Sequence, residues 1–330
     1  MSAVPAAAPR PLTFTLLRML ADGAFHSGED MAQRCGITRA SVHNALHSVS
    51  EEFGVVLQSV RGRGYRLARP LYWLDATAIA AAAGEVHERL QLEILDQATS
   101  SNALLMQHAA QGAPGGSVLA VEWQTAGRGR LGRRWHAGLG DALAFSLLWR
   151  FGCGLAGLSG LSLAVGVAVI RTLRELGVHE ARLKWPNDVL LPQGKLAGIL
   201  LEAQGDVLGP SAVVIGIGLN LAPPAAALDQ PAGDLLTCGV SLQQRSQVLG
   251  GLLRHLVQVL TTFEAQGFAA LREEWEAAHQ YAQRPVSLLM PDGTRIDGVA
   301  LGVDDEGALR VETAGAVRLF HSGEVSLRGR

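Results

Sequence analysis

The chain has 330 residues, of which 48% are hydrophobic and 18% charged, with a formal net charge of −2. That length and apolar content allow roughly two or three domains with a sizeable core, and the near-neutral balance excludes a global attraction to nucleic acid or to an anionic membrane, so any basic site must be local. The three cysteines, Cys35, Cys153 and Cys238, are odd in number and far apart, which excludes a CxxC pair or a disulfide framework and points to free thiols in a reducing cytoplasm.

Residues 1–11 are rich in Ala and Pro, lack the apolar run of a signal peptide, and read as a disordered tail. Thr13 to Leu20 has the spacing of a short helix. Ser27 is placed to cap a second helix ending near Arg34, with Glu29 and Asp30 in its first turn. Gly36 suits a left-handed turn, and Thr38 caps a third helix over Arg39 to Ser48. Val55 to Leu67 follows as two strands around Arg61-Gly62-Arg63-Gly64. Helix-turn-helix followed by a hairpin predicts a winged helix over 12–68, a DNA-binding module. Ala68 to Ala76 contains Pro70 and reads as a linker.

The pattern then predicts a mixed α/β domain over 69–282. Its expected helices are Ile79–Leu90, Ser101–His108, Leu158–Leu176, Gln244–Glu264 and Phe268–His279. Its expected strands are Leu92–Ala98, Val118–Trp123, Ala142–Trp149, Ala181–Trp185, Val189–Leu191, Leu196–Ala203 and Ala212–Gly218. Leu155 to Leu173 is apolar but interrupted by glycines, Ser159, Ser162 and Arg171, the pattern of a buried core helix and not of a membrane span. Ala222–Gly233 reads as a mobile Ala/Pro loop. Beyond Arg284-Pro285, four short strands with Asp-Gly and Glu-Gly turns predict a small SH3-like β-barrel over 283–330. The fold class is α+β.

Three segments carry chemistry. Gly127-Arg128-Gly129-Arg130-Leu131-Gly132-Arg133 fits GxGxxG by letter. A strand, not a helix, follows it, and the position about 20 residues on is apolar, so a dinucleotide fingerprint fails on context. The glycines instead let backbone amides close around anionic oxygens, and Arg128, Arg130 and Arg133 supply forked donors for phosphate or carboxylate. A solvated basic loop is the bland alternative. Lys184-Trp185-Pro186-Asn187-Asp188 ends a strand in a turn that can aim Asn187 and Asp188 into a site. Lys195 enters an apolar strand, which is costly unless it meets an anion; a snorkelling edge lysine is the other reading. Ala197 and Gly198 behind it let a flat ligand approach the backbone. Ser100, Ser101 and Asn102 open a helix, where they either cap it or hold a polar head group. Asn220 leaves the strand of Gly216-Ile217-Gly218-Leu219-Asn220 as a turn residue.

Together these blocks resemble, in order, those of biotin protein ligases: Ser100-Ser101-Asn102, Gln124 before the Gly/Arg loop, Lys184 to Asp188, Gly194-Lys195-Leu196-Ala197-Gly198, and Gly216 to Asn220. The flanking winged helix and barrel resemble the bifunctional ligase and biotin operon repressor. The resemblance implies a class II synthetase-like central domain. It also implies ATP-dependent, Mg²⁺-assisted conversion of biotin to biotinyl-5′-AMP. Biotin then passes to one lysine of the biotin carboxyl carrier protein of acetyl-CoA carboxylase. Ser100, Ser101, Asn102 and Gln124 would hold the ureido end. Arg128, Gly129, Arg130, Lys195 and Gly198 would line the biotin and adenylate site. Arg130, Arg133, Trp135, Asn187 and Asn220 would lie at the nucleotide. Arg128, Lys184, Asp188 and Lys195 would serve the reacting centre, with no protein-bound metal cluster. Gly323 to Arg328 would lie near the nucleotide.

The resemblance further implies operator DNA as a partner, a homodimer once the adenylate is bound, and a cytoplasmic location. Arg39, Ser41, Asn44 and His47 lie along one side of the third helix for base reading, with Arg61 and Arg63 on the wing for phosphate. Two departures stand out. Leu131 replaces an arginine of the related loops, and the tryptophan that covers the adenine in relatives is missing from 222–239. A lipoate ligase and a sensor without catalysis are the competing functions.

Overall fold

A computed structural model describes residues 11–224, 231–290, 292–321 and 326–329. The expected tail therefore lies outside the described residues except for Pro11, which opens the first helix. Positions 225–230 of the expected Ala/Pro loop also lie outside them.

The winged helix comprises α1 (Pro11–Met19), α2 (Gly28–Cys35), α3 (Arg39–Leu46), α4 (Val49–Phe53), β1 (Leu57–Val60) and β2 (Gly64–Leu67). Ser27 caps α2 by accepting the amides of Glu29 and Asp30, Gly36 ends it at φ 65°, and Thr38 caps α3 through the amide of Ser41. The third helix stops at Leu46, short of the expected Ser48. The separate turn α4 replaces its end because Val49 and Phe53, four apart, are both pulled into the core with Phe14 and Leu17.

The segment read as a linker is anchored along its length. Leu71 is buried and donates its amide to Ala21 at 2.8 Å, and Arg69 pairs with Asp141. The amides of Leu74 and Asp75 go to Glu122 Oε1 and Ser246 Oγ. Glu122 in turn meets Arg245 at 2.6 Å with both side chains 1% exposed, and Arg245 also donates to the carbonyls of Tyr72 and Ala142. Such a buried pair is tolerable because both terminal guanidinium nitrogens and both carboxylate oxygens are engaged, although the Arg245 Nε is buried without a hydrogen bond among the described residues. Aromatic edges complete the junction: Phe14 meets Phe53, and Phe53 meets Trp123 with centroids 4.5 Å apart.

The central domain holds α5 (Ala76–Ala83), β3 (Gln91–Ala98), α6 (Ser101–Ala110), β4 (Ser117–Gln124), the two-residue strands β5 (Gly127–Arg128) and β6 (Arg134–Trp135), and β7 (Ala142–Phe151). Then follow α7 (Leu161–Glu175), β8 (Arg182–Lys184), β9 (Asp188–Leu191), β10 (Gly194–Gly205), β11 (Ser211–Asn220), α8 (Arg245–Gln266) and α9 (Arg272–Ala277). Two expected helices are shorter than read: Gly84–Arg89 and Phe268–Leu271 are 3₁₀ turns, not α-helix. Seven strands form one sheet in the order β3-β4-β7-β11-β10-β9-β8, with only β3 and β4 parallel. Alternation sorts its faces. Phe145, Leu147, Val213, Ile215 and Ile217 join α7 and α8 in the main core, whereas Leu148, Ala212 and Val214 face Leu105 and Ala109 of α6. The segment Leu155–Glu175 is long and apolar enough to cross a membrane by composition, yet Leu163 to Ile170 are buried in that core, as the interrupted sequence predicted.

The C-terminal domain is a five-stranded antiparallel sheet of β12 (Pro285–Leu289), β13 (Arg295–Val303), β14 (Leu309–Thr313), β15 (Ala316–Phe320) and β16 (Ser326–Gly329), ordered β15-β14-β13-β12-β16. The fifth strand falls within the run expected at the nucleotide. The structure pairs it with β12, and Gly323 to Val325 lie outside the described residues.

Candidate active site

The site lies on the α6 face of the sheet. Register sets it out: Lys184 pairs with Asp188, Asp188 with Gly198, and Gly198 with Gly218, so these four share one row and one face. Lys195 stands at the wrong parity for that face. A register shift between Lys195 and Ala197 corrects it, which is how a bulge re-aims a side chain. Lys195 Nζ then lies over Gly198, where an added Cβ would meet it at 3.1 Å. The bulge also turns Ala197 into the core, fully buried, so of the two small residues expected under a flat ligand only Gly198 faces the pocket.

Gly198 and Gly218 form a bare floor, and the Trp135 indole lies on it; a Cβ on Gly218 would meet Cδ2 of that ring at 2.9 Å. Trp135 was expected at the nucleotide. The structure sets it within the pocket, its ring N–H buried and without a hydrogen bond among the described residues.

One end of the pocket is a polar cradle. Ser100 caps α6, and Ser100, Ser101 and Asn102 are all buried. Gln124 Oε1 accepts the Ser101 amide at 2.7 Å. Ser146, absent from the sequence reading, lies 2.6 Å from Asn102 Oδ1 and 2.8 Å from Ser101 Oγ. Its single proton serves Asn102, which leaves the Ser101 hydroxyl to donate back. Asn102 Nδ2 donates to the Leu200 carbonyl and to Glu202. Gly216 lies under Asn102 so closely that a Cβ would stand 2.7 Å from its Cγ.

The other end is ionic. Lys195 Nζ meets Asp188 at 2.5 Å and Lys184 Nζ meets it at 3.5 Å. Arg130 donates to Asn187 Oδ1 at 3.1 Å. Burial lowers the Arg130 pKa, Asp188 opposes that shift, and Arg133 adds to it. Asn187 is fixed by its own amide on the Ile199 carbonyl. Arg128 donates to Glu202 at 2.7 Å.

Two expected residues stand apart. Arg133 is exposed and does not line the pocket. Asn220 is buried behind it, its amide donating to the carbonyls of Lys195 and Gly233, so it braces the lysine strand. Leu131 is exposed at φ 56°, a conformation that an L side chain adopts with strain. No group of three or more metal-ligating side chains gathers among the described residues.

On the winged helix, Arg39, Asn44 and His47 of the expected reading face are exposed. Ser41 instead turns its hydroxyl to Thr38 at 2.9 Å. His43, not foreseen, joins the exposed face and lies 3.3 Å from the Tyr65 hydroxyl. Arg61 is exposed at the wing tip, and Arg63 stacks on Phe25 at 4.1 Å.

Comparison with known proteins bears on all three domains. The sequence matches an HTH domain over 13–66, the Biotin/lipoate A/B protein ligase family over 95–220 and the Biotin protein ligase C terminal domain over 284–328. It is 35% identical over 316 residues to the bifunctional ligase/repressor BirA of Escherichia coli, covering 95% of this chain and 96% of that one. The chain belongs to the bifunctional ligase/repressor family. It is also 35% identical to the biotin–[acetyl-CoA-carboxylase] ligase of Mycobacterium tuberculosis, over 71% of this chain and 88% of that one. Its structure resembles the Aquifex aeolicus biotin protein ligase in complex with biotin and ATP, with a TM-score of 0.62 at 28% identity, over 73% of this chain and 99% of that one.

Proposed function

We propose that this chain activates biotin with ATP and passes it to a lysine of a biotin carboxyl carrier protein. The observation that carries the reading is the bulge that brings Lys195 onto the same glycine floor as the Ser100–Asn102 cradle. A polar head group sits in the cradle, the ring system lies along Trp135, and the carboxylate reaches Lys195. A biotin carboxylate oxygen attacks the α-phosphorus of ATP; the P–O bond to pyrophosphate breaks, and biotinyl-5′-AMP remains. Both reactants are anions, and Arg128, Arg130 and Lys195 offset their repulsion and the charge that develops on phosphorus. Mg²⁺ would come bound to the ATP phosphates and offset their charge, while Asp188 is held by Lys184 and Lys195. In the second step the acceptor amine attacks the acyl carbon, the C–O bond breaks and AMP leaves. Asp188 is the candidate to take the amine's proton, once a lysine partner releases it.

Lys195→Ala tests the reading. Biotin-dependent exchange of pyrophosphate into ATP should vanish in that variant, and near-normal exchange would refute the assignment. Exchange driven by lipoate and not biotin in the unaltered protein would move it to the sister activity.

A second role rests on the exposed face of α3. Arg39, Asn44 and His47 read operator bases and Arg61 meets phosphate, making the chain a biotin-responsive repressor in the cytoplasm. A homodimer suits a two-fold operator, and Leu200 to Gly205 of β10 pair only with β11 among the described residues, which leaves a strand edge for a second copy. A gel shift on the biotin operon control region, with and without biotin and ATP, tests this; no shift in either state leaves a ligase alone.

A further inference from the structure

Glu202 has no part in the reading of the sequence, and no glycine or motif marks it. It sits on β10 opposite Val214, two residues beyond Leu200, on the pocket face by alternation. Its carboxylate touches both ends of the site. Oε2 accepts from Asn102 Nδ2 at 3.0 Å and from Arg128 at 2.7 Å, and Oε1 accepts from the same Arg128 nitrogen at 2.9 Å.

A continuous hydrogen-bonded path results: Ser101, Ser146, Asn102, Glu202, Arg128. Its first three members belong to the cradle and its last to the anion loop. That loop has few other ties to the sheet. Its backbone closes on itself through the Gly129 amide and the Arg133 carbonyl, and β5 pairs with β6 of the same loop. Side-chain contacts to the sheet come from Trp135 packed on the Gly198–Gly218 floor, and polar ones from Arg130 on Asn187 and from Arg128 on Glu202.

A carboxylate beside an anion-binding pocket repels the ligand unless a cation holds it. Both Glu202 oxygens converge on one terminal nitrogen of Arg128, so this is not the two-pronged fork that would occupy two guanidinium nitrogens. A guanidinium gripped at one corner is oriented, with its other donors left to the ligand's side. We infer that Glu202 is a positioning residue that fixes Arg128 relative to Asn102, so that the head-group cradle and the anion loop act as one unit. The inference rests on the biotin-adenylating reading of this pocket.

Glu202→Gln tests it with little change of volume. The variant loses the charge and places an amide donor against the donors of Asn102 or Arg128. A lost charge-assisted contact predicts a roughly tenfold rise in biotin KM and a similar acceleration of adenylate release. The kcat at saturating biotin and ATP should fall as well, but by less than in Arg128→Ala, because Glu202 touches no reacting atom and acts on the developing charge only through Arg128. A double-mutant cycle decides the mechanism. In an Arg128→Ala background, Glu202→Gln should change KM and release by less than about twofold. Multiplicative effects in the cycle would overturn the inference. So would a lowered Tm with unchanged KM, which marks a merely structural residue. Failure of the underlying reading looks different: Arg128→Ala alone would then leave biotin KM and adenylate release unchanged.

Discussion

Gly216→Ala is the sharpest probe of the cradle, because the perturbation is one methyl group at a known place. The new Cβ would collide first with Asn102 Oδ1 and would stand 2.7 Å from its Cγ and 3.0 Å from its Nδ2, so the amide must retreat by well over an ångström at its oxygen to reach ordinary contact. Asn102 has little room to do so. It is 3% exposed, its oxygen lies 2.6 Å from the Ser146 hydroxyl, and its nitrogen is shared by Leu200 and Glu202. A displacement of that size breaks the short bond to Ser146 and leaves the buried Asn102 oxygen without that donor, while Ser146 keeps Ser101; the cost is roughly 1–3 kcal/mol. Much of this falls on ligand binding, since Asn102 ends at the pocket surface. Biotin KM in the pyrophosphate-exchange assay should rise by about 10- to 100-fold, while ATP KM changes by less than about threefold. A folded variant with wild-type biotin KM would refute the placement of the head group in this cradle.

Three further outcomes follow from the same geometry. Arg130→Gly removes a guanidinium from the phosphate side, and a streptavidin blot of bystander protein should show labelling as the adenylate escapes; labelling confined to the carrier would count against this role. Glu122→Gln leaves buried Arg245 without its counter-charge, and chemical denaturation should show a loss of roughly 3–5 kcal/mol, with junction contacts of the winged helix weakened. His279 is buried, both ring nitrogens lack partners among the described residues, and burial pushes its pKa from 6.5 down to about 4. The unfolded chain therefore binds the proton first. The stability held above pH 6.5 should decline by roughly 3 kcal/mol as pH falls toward 4, and His279→Phe should flatten that part of the profile. An unchanged slope in the variant would assign the pH dependence elsewhere.

The elements were readable where periodicity and caps agree. Ser27, Gly36 and Thr38 state their roles in the sequence and hold them in the structure. The failures have physical causes. The third helix ends early because burying Val49 and Phe53 outweighs helix continuity. The segment around Pro70 reads as a linker by composition, yet its backbone amides are bound by Glu122 and Ser246, partners 48 and 171 residues away. In the site, charged residues beside glycines were legible, as Lys195 and Arg128 show. What pattern alone could not supply was parity. The bulge that sends Lys195 to the pocket and Ala197 to the core leaves no mark in composition. Ser146 and Glu202 were missed for the same reason: each is an ordinary strand residue whose role comes from what faces it across the sheet.

One measurement tests the central claim directly. A biotin carboxyl carrier fragment is incubated with the purified chain, biotin and MgATP, then blotted with streptavidin. One labelled band is expected that needs both biotin and ATP and is lost when the acceptor lysine is changed to arginine. An unlabelled carrier, with the protein folded and both substrates present, would contradict it.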